Sequence, residues 1–331
     1  MTHPSRRTTV RVAVVASLLT LLGNSAALAQ EPFPSRPIRM IVPFPPGSTL
    51  DLVGRAVGTE LATALGQPVV IDNKAGAGGT IAMQELARSP ADGYTIALAS
   101  QGTLVFNQAL YDKPGYDSLK DFTTIALAGQ SANVLVVPPN SSYNSPNELA
   151  AAAKSSPGKL MYSSGGNGTS QHLSGVLFNQ ISGGELMHIP YRGAPQGILA
   201  VMSGEVQSGF YNLPTVLTQI QQKRLKALGV TSVQRSRLLP GVPTLDESGL
   251  KNYDLSTWYG FIGPAHLPQP IVQKLYTQIA ATLSQPTMAE KLAALGIEFE
   301  KDNSPAAFTS LLKSELVKWP PIIRKSGAKV D

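Results

Sequence analysis

From residue 38 onward, short apolar runs rich in β-branched residues alternate with stretches whose apolar positions recur three and four apart. Ile38 to Val42 is the first such run and predicts a strand. Leu50, Val53, Val57, Leu61 and Leu65 then share one face of a helix that Gly66 ends. The pattern continues with a strand over 69–72, a helix over 81–87 and, after the turn at Asp92-Gly93, a strand over 95–99. It restarts after Gln130 with a strand over 134–137, a helix over 146–154, a strand over 160–163 and a helix over 170–181. Strands over 187–190 and 206–210 flank a helix near 198–202, and 225–230 closes the series. The remainder reads as helices over 270–283, 288–295 and 305–325. Strands joined by helices predict parallel sheets covered on both faces, in two α/β units. No period of 20–50 residues recurs, which argues against a solenoid.

The amino terminus follows a different logic. Arg6, Arg7 and Arg11 precede an apolar run over 12–22, and Ala27-Leu28-Ala29 offers a small-x-small cleavage site. This predicts a cleaved signal peptide over 1–29. The run falls short of the roughly 20 apolar residues that span a membrane, so the expected product is soluble and periplasmic. Without those three arginines, the 27 Lys and Arg drop to 24 against 21 Asp and Glu. Such a mild charge, with no basic cluster interleaved with aromatics, argues against a nucleic-acid partner.

Composition removes several chemistries. The 331 residues include no cysteine, which excludes disulfides, thiolate metal sites, a cysteine nucleophile and a lipid-bearing N-terminal cysteine. No P-loop or Gly-x-Ser-x-Gly elbow occurs. Gly76-Ala77-Gly78-Gly79 starts like a dinucleotide fingerprint, but Ile81 takes the place of the last glycine. His172, His188 and His266 are isolated along the chain, without the i, i+4 partner of a metal-binding helix. The expectation is neither metal nor cofactor.

Two loops that feed helices carry the positive signal. In Pro43-Phe44-Pro45-Pro46-Gly47-Ser48-Thr49 the three prolines have no N–H, so the donors concentrate at Gly47, Ser48, Thr49 and Leu50. Helix-start N–H groups lack internal acceptors and carry partial positive charge, which suits a carboxylate or phosphate. Capping alone also accounts for Gly and Ser at such a turn. The second loop runs from Ser163 to His172 and contains Gly165, Gly166 and Gly168, with Thr169 or Ser170 available as cap. Ligands of open α/β sheets sit beyond the carboxyl ends of the strands. One loop from each unit can therefore grip an anion from two sides.

Beyond these loops, Pro37 to Gly47 with Asp51 and Arg55 resembles the opening of the Bug (TctC-like) solute-binding proteins of tripartite tricarboxylate transporters. The likeness continues in order through Leu65-Gly66-Gln67-Pro68, Asn73 with Gly76 to Gly79, Asp92-Gly93-Tyr94, Asp121-Phe122, His172-Leu173 and His188-Ile189-Pro190-Tyr191-Arg192-Gly193. Leu225 to Leu228, Leu239 to Thr244, Trp258-Tyr259-Gly260, Glu315 and Trp319 follow. The resemblance implies a type II periplasmic-binding (Venus flytrap) fold, with lobe 1 over 30–129 and 231–331 and lobe 2 over 130–230. It implies a carboxylate held by Gly47, Ser48 and Thr49 from one lobe and Gly168, Thr169, Ser170 and His172 from the other, with Tyr191 and Arg192 also at the site. It further implies a monomer that hands a small carboxylate to the membrane subunits of such a transporter.

Ser48 stands where the family commonly has a second glycine, and Gln207 and Tyr211 stand where acids are common. If 207 and 211 face the crevice, their neutrality disfavours an ammonium-bearing ligand and favours an aliphatic or aromatic dicarboxylate such as a phthalate. Phe44, Phe210 and Tyr211 fit either an aromatic wall of the crevice or a place in a core. A hydrolase using Ser164 or Ser170 with His172 is disfavoured, because residues two apart on a helix point to different faces and no acid stands nearby. A ligand-sensing partner of a signalling receptor uses the same closure and is not separable by sequence.

Overall fold

The computed structural model describes residues 33–299 and 301–330; the signal peptide expected over 1–29 lies outside them. β1 (Ile38–Val42), β2 (Val69–Asn73) and β3 (Thr95–Ser100) are parallel, with Ile38 opposite Val69 and Arg39 opposite Thr95. Their crossovers carry α1 (Thr49–Leu65) and α2 (Thr80–Ala87). Ser48 caps α1 by accepting the Asp51 N–H, and Gly66 closes it in the left-handed conformation, where a side chain would be strained. Beyond β3 the chain makes a π-helical segment at Gly102–Phe106 and the short α3 (Asn107–Leu110).

β4 (Phe122–Val137) is four times the length expected for it, at 16 residues. Its first part pairs antiparallel with β9 (Ser256–Pro264), from Phe122 opposite Pro264 to Ala132 opposite Ser256. From Asn133 onward it pairs antiparallel with β7 (Ser208–Asn212) and β8 (Lys226–Val230). β7 continues parallel to β5 (Leu160–Ser164), and β5 to β6 (Leu186–Pro190). The path is β2-β1-β3-β9-β4-β7-β5-β6, with β8 against β4. Both ladders are thus mixed rather than wholly parallel, and β4 crosses from one to the other between Ala132 and Asn133.

The other helices are α4 (Pro146–Ser155), α5 (Ser170–Ser182), α6 (Ala194–Ser203), α7 (Leu213–Gln221), α8 (Gln269–Leu283), α9 (Pro286–Ala294) and α10 (Pro305–Ser326). α7 was not anticipated; Pro214, a turn signal in sequence, lies in its first turn, where the missing N–H has no helical acceptor to lose. β7 ends at Asn212 rather than at Phe210, a shift that brings Asn212 to the carboxyl edge of the sheet. Among the described residues no helix is long and apolar enough to cross a membrane.

Candidate functional site

The loop from β1 into α1 is held rigid from behind. Asp51, buried in the first turn of α1, accepts the Gly47 N–H at 2.9 Å, Arg55 Nε at 3.1 Å and Asn73 Nδ2 at 3.0 Å. Burial pushes its carboxyl upward, but these hydrogen bonds and the Arg55 charge outweigh that and hold it below the usual range. Asn73 Nδ2 also donates to the Phe44 carbonyl at 2.9 Å. The Ser48 N–H turns back to the Pro45 carbonyl. What remains without an acceptor among the described residues at this helix start is the N–H pair of Thr49 and Leu50.

The loop from β5 into α5 repeats this design with different parts. Thr169 caps α5 by accepting the His172 N–H at 3.2 Å. Gly168, at φ +76°, gives its N–H to His172 Nδ1 at 3.3 Å. The N–H groups of Ser170 and Gln171 are left without an acceptor among the described residues. Gln171 Oε1 accepts the Gly165 N–H at 2.6 Å while its Nε2 donates to Asn212 Oδ1 at 3.1 Å. Asn212 Nδ2 donates in turn to Asn133 Oδ1 at 2.7 Å, and Asn133 Nδ2 to Ser174 Oγ at 2.8 Å. This buried amide chain runs from the loop to the residue at which β4 changes ladders.

The two helix starts share a narrow chamber of about 30 Å³, bordered by Ser48, Thr49, Leu50, Thr169, Ser170 and Gln171, with Phe44, Gly165, Asn212 and Tyr259 completing its walls. Among the described residues none of its lining side chains is charged. Burial pushes the Tyr259 phenol up, so it stands there as a neutral hydroxyl, hydrogen-bonded to Ser131 Oγ at 2.7 Å. Thr49 Oγ1 is buried beside the Tyr259 hydroxyl, with no hydrogen bond of ordinary geometry among the described residues. Main-chain donors, amides and hydroxyls without any acid suit a carboxylate and give an ammonium group no counter-charge.

Of the residues anticipated from sequence, Phe44, Ser48, Thr49, Thr169 and Ser170 come together in this chamber. Tyr191 and Arg192 line a wider outer compartment. Four other positions are placed or engaged differently from that expectation. The Gly47 and Gly168 N–H groups are consumed within their own loops, by Asp51 and by His172. His172 does not face the chamber: its ring is buried against the His188 ring, centroids 4.2 Å apart, so the two histidines isolated in sequence are stacked in space. Phe210 is fully buried and packs on Tyr162 and Phe178, because alternation along β7 turns it to the core.

Positions 207 and 211 do not face the chamber. Gln207 accepts the Met161 N–H near the opposite end of the strands, and the buried Tyr211 hydroxyl bonds to Ser163 Oγ at 2.6 Å. The uncharged chamber carries the charge argument instead. Asn212, Gln171 and Tyr259 were missed as site residues. Gln171 stood inside the loop already singled out, whereas the other two reach the chamber only through strand pairing.

Two α/β ladders bridged by one long strand, with paired helix starts facing a cleft, define a bilobed solute-binding protein of the periplasmic type. The chain belongs to the family described as "Tripartite tricarboxylate transporter family receptor", whose model matches residues 53–328. It is 37% identical over 313 residues to a "UPF0065 protein in tcbD-tcbE intergenic region" of Pseudomonas sp. strain P51, covering 94% of this chain and 93% of that one. Among solved structures, the periplasmic binding protein BugD superposes with a TM-score of 0.86 at 32% identity, covering 90% of this chain and 99% of that one. R. palustris Rpa4515 with adipate gives 0.86 at 30% identity, covering 90% and 100%. MatC from Rhodopseudomonas palustris with bound malate gives 0.84 at 28%, covering 88% and 100%.

Proposed function

We propose that this chain captures a dicarboxylate, aliphatic or aromatic, between two lobes and delivers it to the membrane subunits of a tripartite tricarboxylate-type transporter, acting as a monomer and without catalysing a reaction. On this reading the described residues of 30–129 and 231–331 form lobe 1 and 130–230 form lobe 2, and the change of partners in β4 at Ala132–Asn133, three residues inside that boundary, is part of the hinge. The observation that carries the reading is the convergence of the unengaged Thr49, Leu50, Ser170 and Gln171 N–H groups on one uncharged chamber. The adipate and malate of the two related structures make dicarboxylates the class to test first.

The energetics suffice. Micromolar binding needs about 8 kcal/mol, and hydrogen bonds to a charged group contribute about 1.5–3 kcal/mol each. Four main-chain donors with help from hydroxyls reach that figure after ordering costs. Delivery requires only that ligand favour the closed form over the open one.

Calorimetry of the purified chain against succinate, adipate, phthalate and a neutral amino acid tests this. One-to-one binding of at least one dicarboxylate, with the ligand recovered unchanged and the amino acid silent, is the expected result. Turnover of a bound carboxylate, or preference for the amino acid, overturns it.

A further inference from the structure

The inner chamber, at about 30 Å³, is too small for a whole dicarboxylate. A single water needs about 10–15 Å³ on this measure, so the chamber admits little more than one carboxylate group. The cleft then widens into an outer compartment of about 580 Å³, and Phe44 and Gly165 border both spaces. A ligand anchored inside must therefore pass between these two residues and place its remainder in the outer compartment.

That compartment is walled by Pro45, the glycine-rich turn of residues 76–79, Tyr111, Asn167, Tyr191 and Val330, and among the described residues Arg192 is the one charged residue on its lining. The Arg192 main-chain N–H is held by Gln196 Oε1 at 3.3 Å. No acid among the described residues forms an ion pair with its guanidinium. The nearby Glu205 carboxylate is taken up by the Tyr191 hydroxyl at 2.7 Å and is not on the lining.

We propose that Arg192 is the specificity-determining residue for the far end of the ligand, and that it selects molecules carrying a second anionic group there. The inner donors recognise any carboxylate. Arg192 separates dicarboxylates from monocarboxylates of equal length. This inference rests on the carboxylate reading of the inner chamber.

The test is a cycle of ligands and proteins. Adipate and phthalate, each beside its monoamide, are titrated calorimetrically into the wild-type chain, Arg192→Gln and Arg192→Lys at low salt. Wild type should prefer the dicarboxylate about fivefold, the scale of a solvent-accessible charge pair. Arg192→Gln should abolish the preference by weakening the dicarboxylate about fivefold more than the monoamide, and Arg192→Lys should restore most of it. If Arg192→Gln keeps the preference, or weakens dicarboxylate and monoamide equally, the assignment of Arg192 fails and the inner anchor stands. If wild type binds none of the four compounds, the carboxylate reading falls and takes this inference with it.

Discussion

Thr49 and Ser170 each occupy the first helical position after a cap whose backbone is already extended, Ser48 at ψ 160° and Thr169 at ψ 159°. Proline is tolerated at such positions: its fixed φ suits the first turn, and the residue before it is pushed toward the extended region. Thr49→Pro and Ser170→Pro therefore delete one ligand-facing N–H apiece with little demand on the fold. Each should weaken carboxylate binding by about 10-fold or more, the equivalent of one charge-assisted hydrogen bond, with the melting temperature of the free protein little changed. Calorimetry beside thermal denaturation checks both; wild-type affinity in either variant removes that helix start from the site. At this scale the sequence was most informative about where donors gather and least about which are spent. Nothing in the order of residues reveals that Asp51 and His172 fold back to take the Gly47 and Gly168 N–H groups.

At the scale of elements, α5 is docked on β5 and β6 through a column of rings. Tyr162 stacks on His188 with centroids 4.9 Å apart, and His188 on His172 at 4.2 Å. Burial lowers the His172 pKa from 6.5 to about 4. Burial, and then the charge of His172, lowers that of His188 to about 3. Both folded values lie below the unfolded one, so the unfolded chain takes up protons first as the solution is acidified. The stability of the neutral pair is whole above pH 6.5 and drains away as pH falls toward about 4 for His172 and about 3 for His188. The melting temperature should decline across that window, and His188→Phe, which keeps a ring in the column without its titration, should decline less steeply. Parallel profiles for the two proteins would assign the acid sensitivity to other groups. The helices and parallel strands were legible because their apolar spacing is regular. β9 was not: Gly260 and Gly263 interrupt its apolar run, and they are there because the Phe308 and Leu267 side chains lie against the bare backbone. The first half of β4 was hidden for a related reason, since Gly129 at φ +140° and two shifts of register break its alternation.

For the whole molecule, the decisive feature is that the two ladders meet across the cleft through glycines. Gly193, before α6, lies against Pro45, where a Cβ would come within 2.7 Å of the proline ring, and Gly78 faces the Asn167 carbonyl. Gly102, after β3, faces the loop before α5, and a Cβ there would stand 2.7 Å from the Gly168 carbonyl oxygen. In this arrangement both helix starts reach a single chamber. The amide chain through Gln171, Asn212 and Asn133 links that chamber to the strand joining the ladders, so closure and loop geometry share a frame. Unlike Gly78 and Gly193, Gly102 has no positive φ, so alanine there strains nothing except the approach of the opposite loop. Gly102→Ala should leave the protein folded and penalise the approach of the two loops by about 1–3 kcal/mol, the usual cost of overpacking, which lowers affinity roughly 5- to 150-fold. Gly241→Ala, where an added methyl meets nothing within 4 Å, is the matched control. Calorimetry reads the affinity, and small-angle scattering with saturating ligand reads whether the molecule still contracts. Binding and contraction like those of wild type in Gly102→Ala would mean that the grip on the ligand does not depend on the ladders meeting there.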